Sequence, residues 1–265
     1  MRLRPPRPGD LGRALRLSGL AGWNQTALDW QAFARHGTLR MRDDGGEALA
    51  ATVATLPFGP VSWISMVLVR PDLRRQGLAT GMMRWALRSL RGTTCVALDA
   101  TDDGRQVYSR MGFRDAWRFS RWQVPRLPAT PGARVMTDAD WPGVVALDAA
   151  AFGAGRDWLL GAVCERPGFV VEKGGLIVGA VLCRDGAVAP HAGPLLAREP
   201  GIGMALLAAA LPVGGMVDLR DDAPIAGGLR AHHGVRLRGF TRMVRGTDLP
   251  GDASGCMAVL GPEFG

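Results

Sequence analysis

The sequence predicts an α/β protein made of two tandem units, each a central mixed sheet flanked by helices. Three observations carry this reading. The chain has 265 residues, more than one domain usually holds, and 47% of them are apolar, enough for packed cores. A helical pattern crosses between two apolar strands, which requires that those strands run parallel. After a proline-rich stretch the order of elements begins again.

In the first unit, residues 2–5 read as a short strand stopped by Pro5-Pro6. Asp10 is placed as an N-cap before Leu11–Ser18, where Leu11, Ala14 and Leu15 fall at helical spacing. Gly19 and Gly22-Trp23-Asn24-Gln25 interrupt the helix, and Ala27–Arg35 resumes it. Thr38–Arg42 and Glu47–Leu56 flank Asp43-Asp44-Gly45-Gly46 and form a hairpin. Ser62–Val69 is an apolar strand with Ile64, Met66 and Leu68 on one face and Trp63, Ser65, Val67 and Val69 on the other. A helix follows over 77–90, a buried strand over 94–100, a short helix capped by Asp102-Asp103-Gly104 and running to Met111, and a last strand over 118–124.

Pro125–Ala133 holds three prolines and a glycine, so the units are divided as 1–125, a linker at 126–133, and 134–265. In the second unit Thr137 caps a helix through Ala150, and a second helix spans Asp157–Glu165. Strands follow at 168–172, 176–183 and 187–197, then a helix at 203–211, a strand at 216–220, a short helix at 225–232 and closing strands.

The net charge is +8, but 31 of the 32 basic residues are arginine, spread without a polybasic cluster. Residues 1–125 carry 19 basic and 10 acidic residues; 126–265 carry 13 and 14. The positive field belongs to the first unit and suits a small polyanionic ligand, and no nucleic-acid partner is expected. The apolar runs are short of a membrane span, and Met1–Pro6 lacks the apolar stretch of a secretory signal, so no membrane partner and a cytoplasmic location are expected. Four scattered cysteines and isolated histidines give no metal-ligand spacing, so no metal is expected.

The chemistry concentrates after the 62–69 strand, in Arg74-Arg75-Gln76-Gly77-Leu78-Ala79. A turn that passes straight into a helix aims consecutive backbone N–H groups, and the positive end of the helix dipole, at an anion. Gly77 allows close approach, Ala79 keeps the first helical turn narrow, Thr80 adds a hydroxyl, and Arg74 and Arg75 add charge. Neither the P-loop pattern nor the dinucleotide-binding glycine pattern is present.

Val69-x-Pro71-x-x-Arg74-x-x-Gly77-x-Ala79 resembles the acetyl-CoA signature of the GNAT superfamily of acyl-CoA-dependent N-acetyltransferases. Tyr108-Ser109-Arg110-Met111-Gly112-Phe113 is similar to that superfamily's second motif. The resemblance implies two tandem GNAT-like domains, each with a splayed mixed sheet, and acetyl-CoA as co-substrate. It implies that Val67 and Val69 pair with the pantetheine arm and that Arg74 through Thr80, with Arg75, Gln76, Gly77 and Ala79, hold the pyrophosphate. It further implies that the Val67 amide polarises the thioester carbonyl and that Tyr108 protonates the departing thiolate. Tyr108 is the one tyrosine in the chain, where phenylalanine fills eight other places; the alternative reading is a packing ring.

Asp99, ending the 94–100 strand, is the first candidate for the base; an ammonium anchor and a turn cap are equal readings. Trp23, Asn24 and Gln25 sit where the superfamily lines its acceptor site, with Trp63 and Ser65 as weaker candidates. In the second unit, Arg198-Glu199-Pro200-Gly201-Ile202-Gly203 has the letters of the motif, but Pro200 removes an N–H and no tyrosine follows. The second unit is therefore expected to be a degenerate copy that is structural or walls the acceptor pocket, with Asp157, His191 and Asp218 read as solvated surface and a reach into a shared cleft as the alternative. The expected activity is direct acetyl transfer to a small-molecule amine. A protein lysine or N-terminus as acceptor, and a non-catalytic acyl-CoA sensor, are the alternatives. The oligomeric state is open.

Overall fold

The computed structural model describes residues 3–265. Two helices, α1 (Asp10–Leu20) and α2 (Ala27–His36), precede three strands, β1 (Thr38–Asp43), β2 (Leu49–Phe58) and β3 (Val61–Val69). Then come α3 (Leu78–Ser89), β4 (Cys95–Ala100), α4 (Asp102–Ser109) and β5 (Arg114–Val124). The second half opens with the two-residue β6 (Arg134–Val135) and repeats the order: α5 (Trp141–Phe152), α6 (Asp157–Val163), β7 (Arg166–Lys173), β8 (Leu176–Arg184), β9 (His191–Leu196), α7 (Pro200–Ala210), β10 (Gly215–Arg220), α8 (Ala226–Ala231) and β11 (Val235–Gly246). A final strand, β12 (Cys256–Val259), has no counterpart in the first half. Among the described residues no helix is long and apolar enough to cross a membrane.

Local chemistry explains most boundaries. Thr26 and Asp29 form a reciprocal capping box at the start of α2, and Thr137 with Asp140 does the same ahead of α5. Two expected caps differ. Asp10 is not the N-cap of α1 but its first residue, because its carboxylate is drawn into hydrogen bonds with Arg4, Arg13 and the amide of Arg7. Thr101, not the Asp102-Asp103-Gly104 run, caps α4, its hydroxyl accepting from the amide of Gly104. Of the expected N-terminal strand, residue 2 lies outside the described residues, and Arg4 makes a single bridge to Met41.

The units divided at 126–133 do not close as separate sheets. All twelve strands form one sheet, in the order β1-β2-β3-β4-β11-β5-β10-β12-β9-β8-β7-β6. The strand that follows the short helix in each half lies in the sheet of the other half. β11 lies antiparallel to β4, with Thr241 opposite Ala100 and Arg242 opposite Asp99, while β5 lies antiparallel to β10, from Phe119 opposite Arg220 to Val124 opposite Gly215. The main core follows the exchange. Trp30, Phe33 and Trp63 of the first half are buried with Phe152, Leu159, Leu160 and Phe264 of the second. At about 1.5–3 kcal/mol for each fully buried large apolar side chain, this shared layer couples the two halves.

The parallel pair expected on either side of α3 is present and splits. β3 and β4 pair only from Val61 opposite Cys95 to Trp63 opposite Ala97 and diverge beyond. In the second half β9 and β10 also begin as a parallel pair, at His191–Met216 and Ala192–Val217. There β12 fills the split, pairing antiparallel with β10 through Asp218–Val259 and with β9 through Ala258–Leu195. Gly193 makes this possible, since a side chain there would collide with the Val259 carbonyl.

Candidate active site

The open split between β3 and β4 is the mouth of a cleft. One side comes from Ile64, Ser65, Met66 and Val67 of β3 and from Leu98 and Asp99 of β4. Tyr108 of α4 is also on the wall. Trp23 and Gln25 enter from the loop between α1 and α2. Arg121, Arg238, Phe240, Pro262 and Glu263 complete it, all but Arg121 from the second half.

β3 carries a bulge at this mouth. Thr52 faces Leu68 and Ala54 faces Ser65, so Val53 alone stands opposite Met66 and Val67. Met66 takes a left-handed conformation, φ 53°, and its carbonyl accepts a hydrogen bond from the Thr52 hydroxyl at 2.9 Å. A non-glycine residue held there is strained by about 1–3 kcal/mol, and bulges of this kind turn backbone groups out of the ladder.

Beyond Val69 the chain makes one 3₁₀ turn over Pro71–Leu73 and then the arginine-rich turn. Arg75 (φ 60°) and Gly77 (φ 77°) are both left-handed, and Gly77 is the N-cap of α3. The backbone N–H groups of residues 75–80 find no acceptor among the described residues; the first amide of α3 to bond back is that of Gly81, to Gly77. Left-handed residues just ahead of a helix start turn successive N–H groups toward one side, as in an anion nest. Residues 74–77 are exposed, and Arg74 reaches back to the Val69 carbonyl at 3.3 Å, which ties the turn to the end of β3. A pyrophosphate fits this donor set.

Tyr108 is half-buried against Phe113, and its ring folds back over the start of α4, where a Cβ on Gly104 would stand 3.0 Å from it. Burial pushes the phenol up to about 12, so it holds its proton at neutral pH.

Asp99 differs from its expected role. Both its carboxylate oxygens receive the Arg242 guanidinium, at 2.9 and 2.8 Å, and Arg242 also lies over Trp63 and Trp117. Burial raises the Asp99 pKa and Arg242 offsets this in part. Engaged on both oxygens, Asp99 is not the free base of the cleft. Asn24 differs too. Its side chain accepts from the amides of Val188 and Ala189 and donates to the Ala189 carbonyl, so it fastens the α1–α2 loop to the second half and does not face the cleft. Trp63 is buried beneath the site, 3.5 Å from the Pro262 carbonyl.

His191 and Asp218 are fully buried, not solvated, and Asp157 is exposed. Arg121 grips Asp218 through two bonds, at 2.9 and 2.7 Å, and His191 sits 3.0 Å from the same carboxylate. Burial would raise the Asp218 pKa, but Arg121 and His191 hold it far below the carboxylate range. Burial keeps His191 below its usual value, partly countered by Asp218.

Sequence reasoning missed the chain's last residues. Glu263 is buried, and its Oε1 accepts from Arg184 at 2.5 Å, while Arg184 also pairs with Asp29 at 2.9 Å. Burial pushes Asp29 up to about 6 against the pull of Arg184. Gly261, at φ 152°, leaves room for Glu263; a Cβ there would lie 2.9 Å from its Oε1. Three buried polar atoms on the cleft lining have no partner among the described residues: Gln25 Oε1, Ser65 Oγ and Glu263 Oε2. Buried polar groups are almost always bonded, so these three atoms each have capacity for a further polar partner.

Known proteins share this architecture. A family model described as the acetyltransferase (GNAT) family matches residues 15–113, and one described as an acetyltransferase (GNAT) domain matches residues 144–256. YitH of Bacillus subtilis (strain 168), an N-acetyltransferase described as uncharacterised, is 25% identical over 152 residues, 55% of this chain. The match spans 54% of YitH, about half the length of that relative. Among solved structures, a Pyrococcus horikoshii protein assigned as an acetyltransferase superposes with a TM-score of 0.83 over 100% of this chain and 95% of its own, at 18% identity. A tandem GNAT protein from the clavulanic acid biosynthesis pathway gives 0.65 over 92% and 97%, at 15% identity. A GCN5-related N-acetyltransferase from Sphaerobacter thermophilus gives 0.64 over 94% and 98%, at 18% identity.

Proposed function

Because the chain belongs to the GNAT acetyltransferase family and carries two such domains in tandem, we propose that it transfers the acetyl group of acetyl-CoA to a small-molecule amine, at the β3–β4 split alone. The observation that carries this is the contrast between the two splits: the first opens on a cleft with an anion nest at its end, and the second is filled by β12. A cleft walled from both halves supports a small acceptor over a protein side chain.

The residues divide the work by position. The amides of residues 75–80, with Arg74, Arg75 and the Thr80 hydroxyl, are suited to hold the pyrophosphate. The free edge of β3 at Val67 and Val69 is suited to an extended arm pairing as a strand would. Acetyl-CoA bound there supplies a thioester carbon to which the acceptor nitrogen bonds as the C–S bond breaks. Tyr108 gives its phenolic proton to the leaving sulfur. The acceptor ammonium gives up two protons in all; one restores Tyr108 and the other leaves toward Glu263 and solvent. Purified protein should release thiol from acetyl-CoA only when an amine is added; release independent of amines, or CoA binding without turnover across a broad amine panel, would refute the proposal.

A further inference from the structure

Charge around the cleft is balanced nearly everywhere. Asp99 is matched by Arg242 and Asp218 by Arg121, each through two hydrogen bonds. Two lining groups stand outside these pairs. Glu263 shares the single guanidinium of Arg184 with Asp29, and its Oε2 is orphaned. Arg238, on β11, makes no ion pair or hydrogen bond among the described residues and rests on the Phe240 ring, 4.9 Å from its centre. Burial and the neighbouring Arg121 depress its pKa, as expected of a partly desolvated cation without a counter-ion.

One cleft therefore presents an uncompensated carboxylate oxygen and an uncompensated guanidinium. An acceptor with only an amine would answer Glu263 and leave Arg238 bare beside Arg121. An acceptor with both charges answers both. Resting on the N-acetyltransferase reading above, we propose that the acceptor is a small amino acid, its ammonium directed to Glu263, Gln25 and Ser65 and its carboxylate to Arg238.

Guanidinium and carboxylate meet in two parallel hydrogen bonds, which an amide or a bare alkyl end cannot reproduce. Leaving such a charged donor unmatched is penalised more than losing a neutral bond. An acid should therefore exceed its own carboxamide by at least about tenfold in kcat/KM, through KM.

The test compares the standard amino acids, β-alanine and 4-aminobutyrate, each against its carboxamide, by thiol release at pH 8. At least one acid should surpass its amide about tenfold or more. Arg238→Gln should bring that ratio near one and Arg238→Lys should restore part of it. Glu263→Gln should weaken acid and amide alike. Arg238 is half-exposed on a strand surface, so its variants should keep the wild-type unfolding midpoint. Equal rates for acid and amide throughout, or an acid preference that survives Arg238→Gln, would overturn the proposal. If no amine is acetylated, the catalytic reading fails, and calorimetry on the CoA-loaded protein with the same pairs still decides the acceptor. Acid-selective binding that Arg238→Gln abolishes supports the proposal, and indifferent or absent binding overturns it.

Discussion

Replacing Arg242 with methionine should remove about 4 kcal/mol of stability. Arg242 belongs to the second half by sequence and to the first by position, opposite Asp99 in the β4–β11 ladder. The Asp99 side chain has no exposure and that of Arg242 has 5%, so the variant leaves a carboxylate in the core with no counter-charge. Breaking a buried pair from one side costs about 3–5 kcal/mol, and the loss of contacts on Trp63 and Trp117 adds about 0.5–1 kcal/mol each, partly returned by methionine's own packing. Removing both charges, as Asp99→Leu with Arg242→Met, should be far milder, because an apolar pair of similar volume replaces a desolvated ion pair at little net change. The double-mutant cycle in urea should thus give a coupling above about 2 kcal/mol. A single variant that loses under about 1 kcal/mol, or a double variant equal to the sum of the singles, would refute the exchanged-strand account of this pair.

Other expectations follow from the same geometry. Tyr108→Phe should lower kcat by about 100-fold with CoA affinity kept, measured by steady-state kinetics and calorimetry; an unchanged kcat would remove the tyrosine from proton transfer. Gly77→Val places a β-branched residue at φ 77° and should weaken CoA binding by at least about tenfold. Hydrogen bonds from Arg4 lead the groups that hold the buried Asp10 carboxyl well below its usual range, with Arg7 and Arg13 adding to them against burial. A carboxyl depressed by folding contributes stability that is whole above about pH 4 and is lost as the pH falls toward the folded value. Asp10→Asn should flatten that acid limb, and an unaltered urea midpoint between pH 5 and 2.5 would contradict it. Because the sheet is continuous and the main core spans both halves, tryptophan fluorescence and circular dichroism should report one coincident unfolding transition.

The repeat was legible because helical and alternating periods are local properties, and the two halves spell them in the same order. The split at β3 was implied by the GNAT resemblance alone, since nothing in the apolar run of residues 62–69 marks where pairing with β4 ends. The exchange of β5 and β11 was not legible. Residues 114–124 and 235–246 are both alternating strands after a short helix and a glycine, and nothing within either marks whose sheet it joins. The Arg121–Asp218 and Arg242–Asp99 pairs that lock the exchange join residues 97 and 143 positions apart. Asp99 and Asn24 were found as polar residues near the right place, but their engagement depends on Arg242 and on the 187–189 loop, invisible to local pattern. Glu263 was passed over for a similar reason. It follows a four-residue strand and a glycine, and only its burial against Arg184 and its place on the cleft lining single it out. The one available signal was a lone acid in an otherwise apolar, glycine-rich ending.

The claim that one split works and the other is filled by β12 is tested most directly by calorimetric titration of the intact chain with CoA. One molecule should bind per chain, and Gly77→Val should weaken that binding at least about tenfold. Two molecules per chain, or undiminished affinity in the Gly77 variant, would contradict the account.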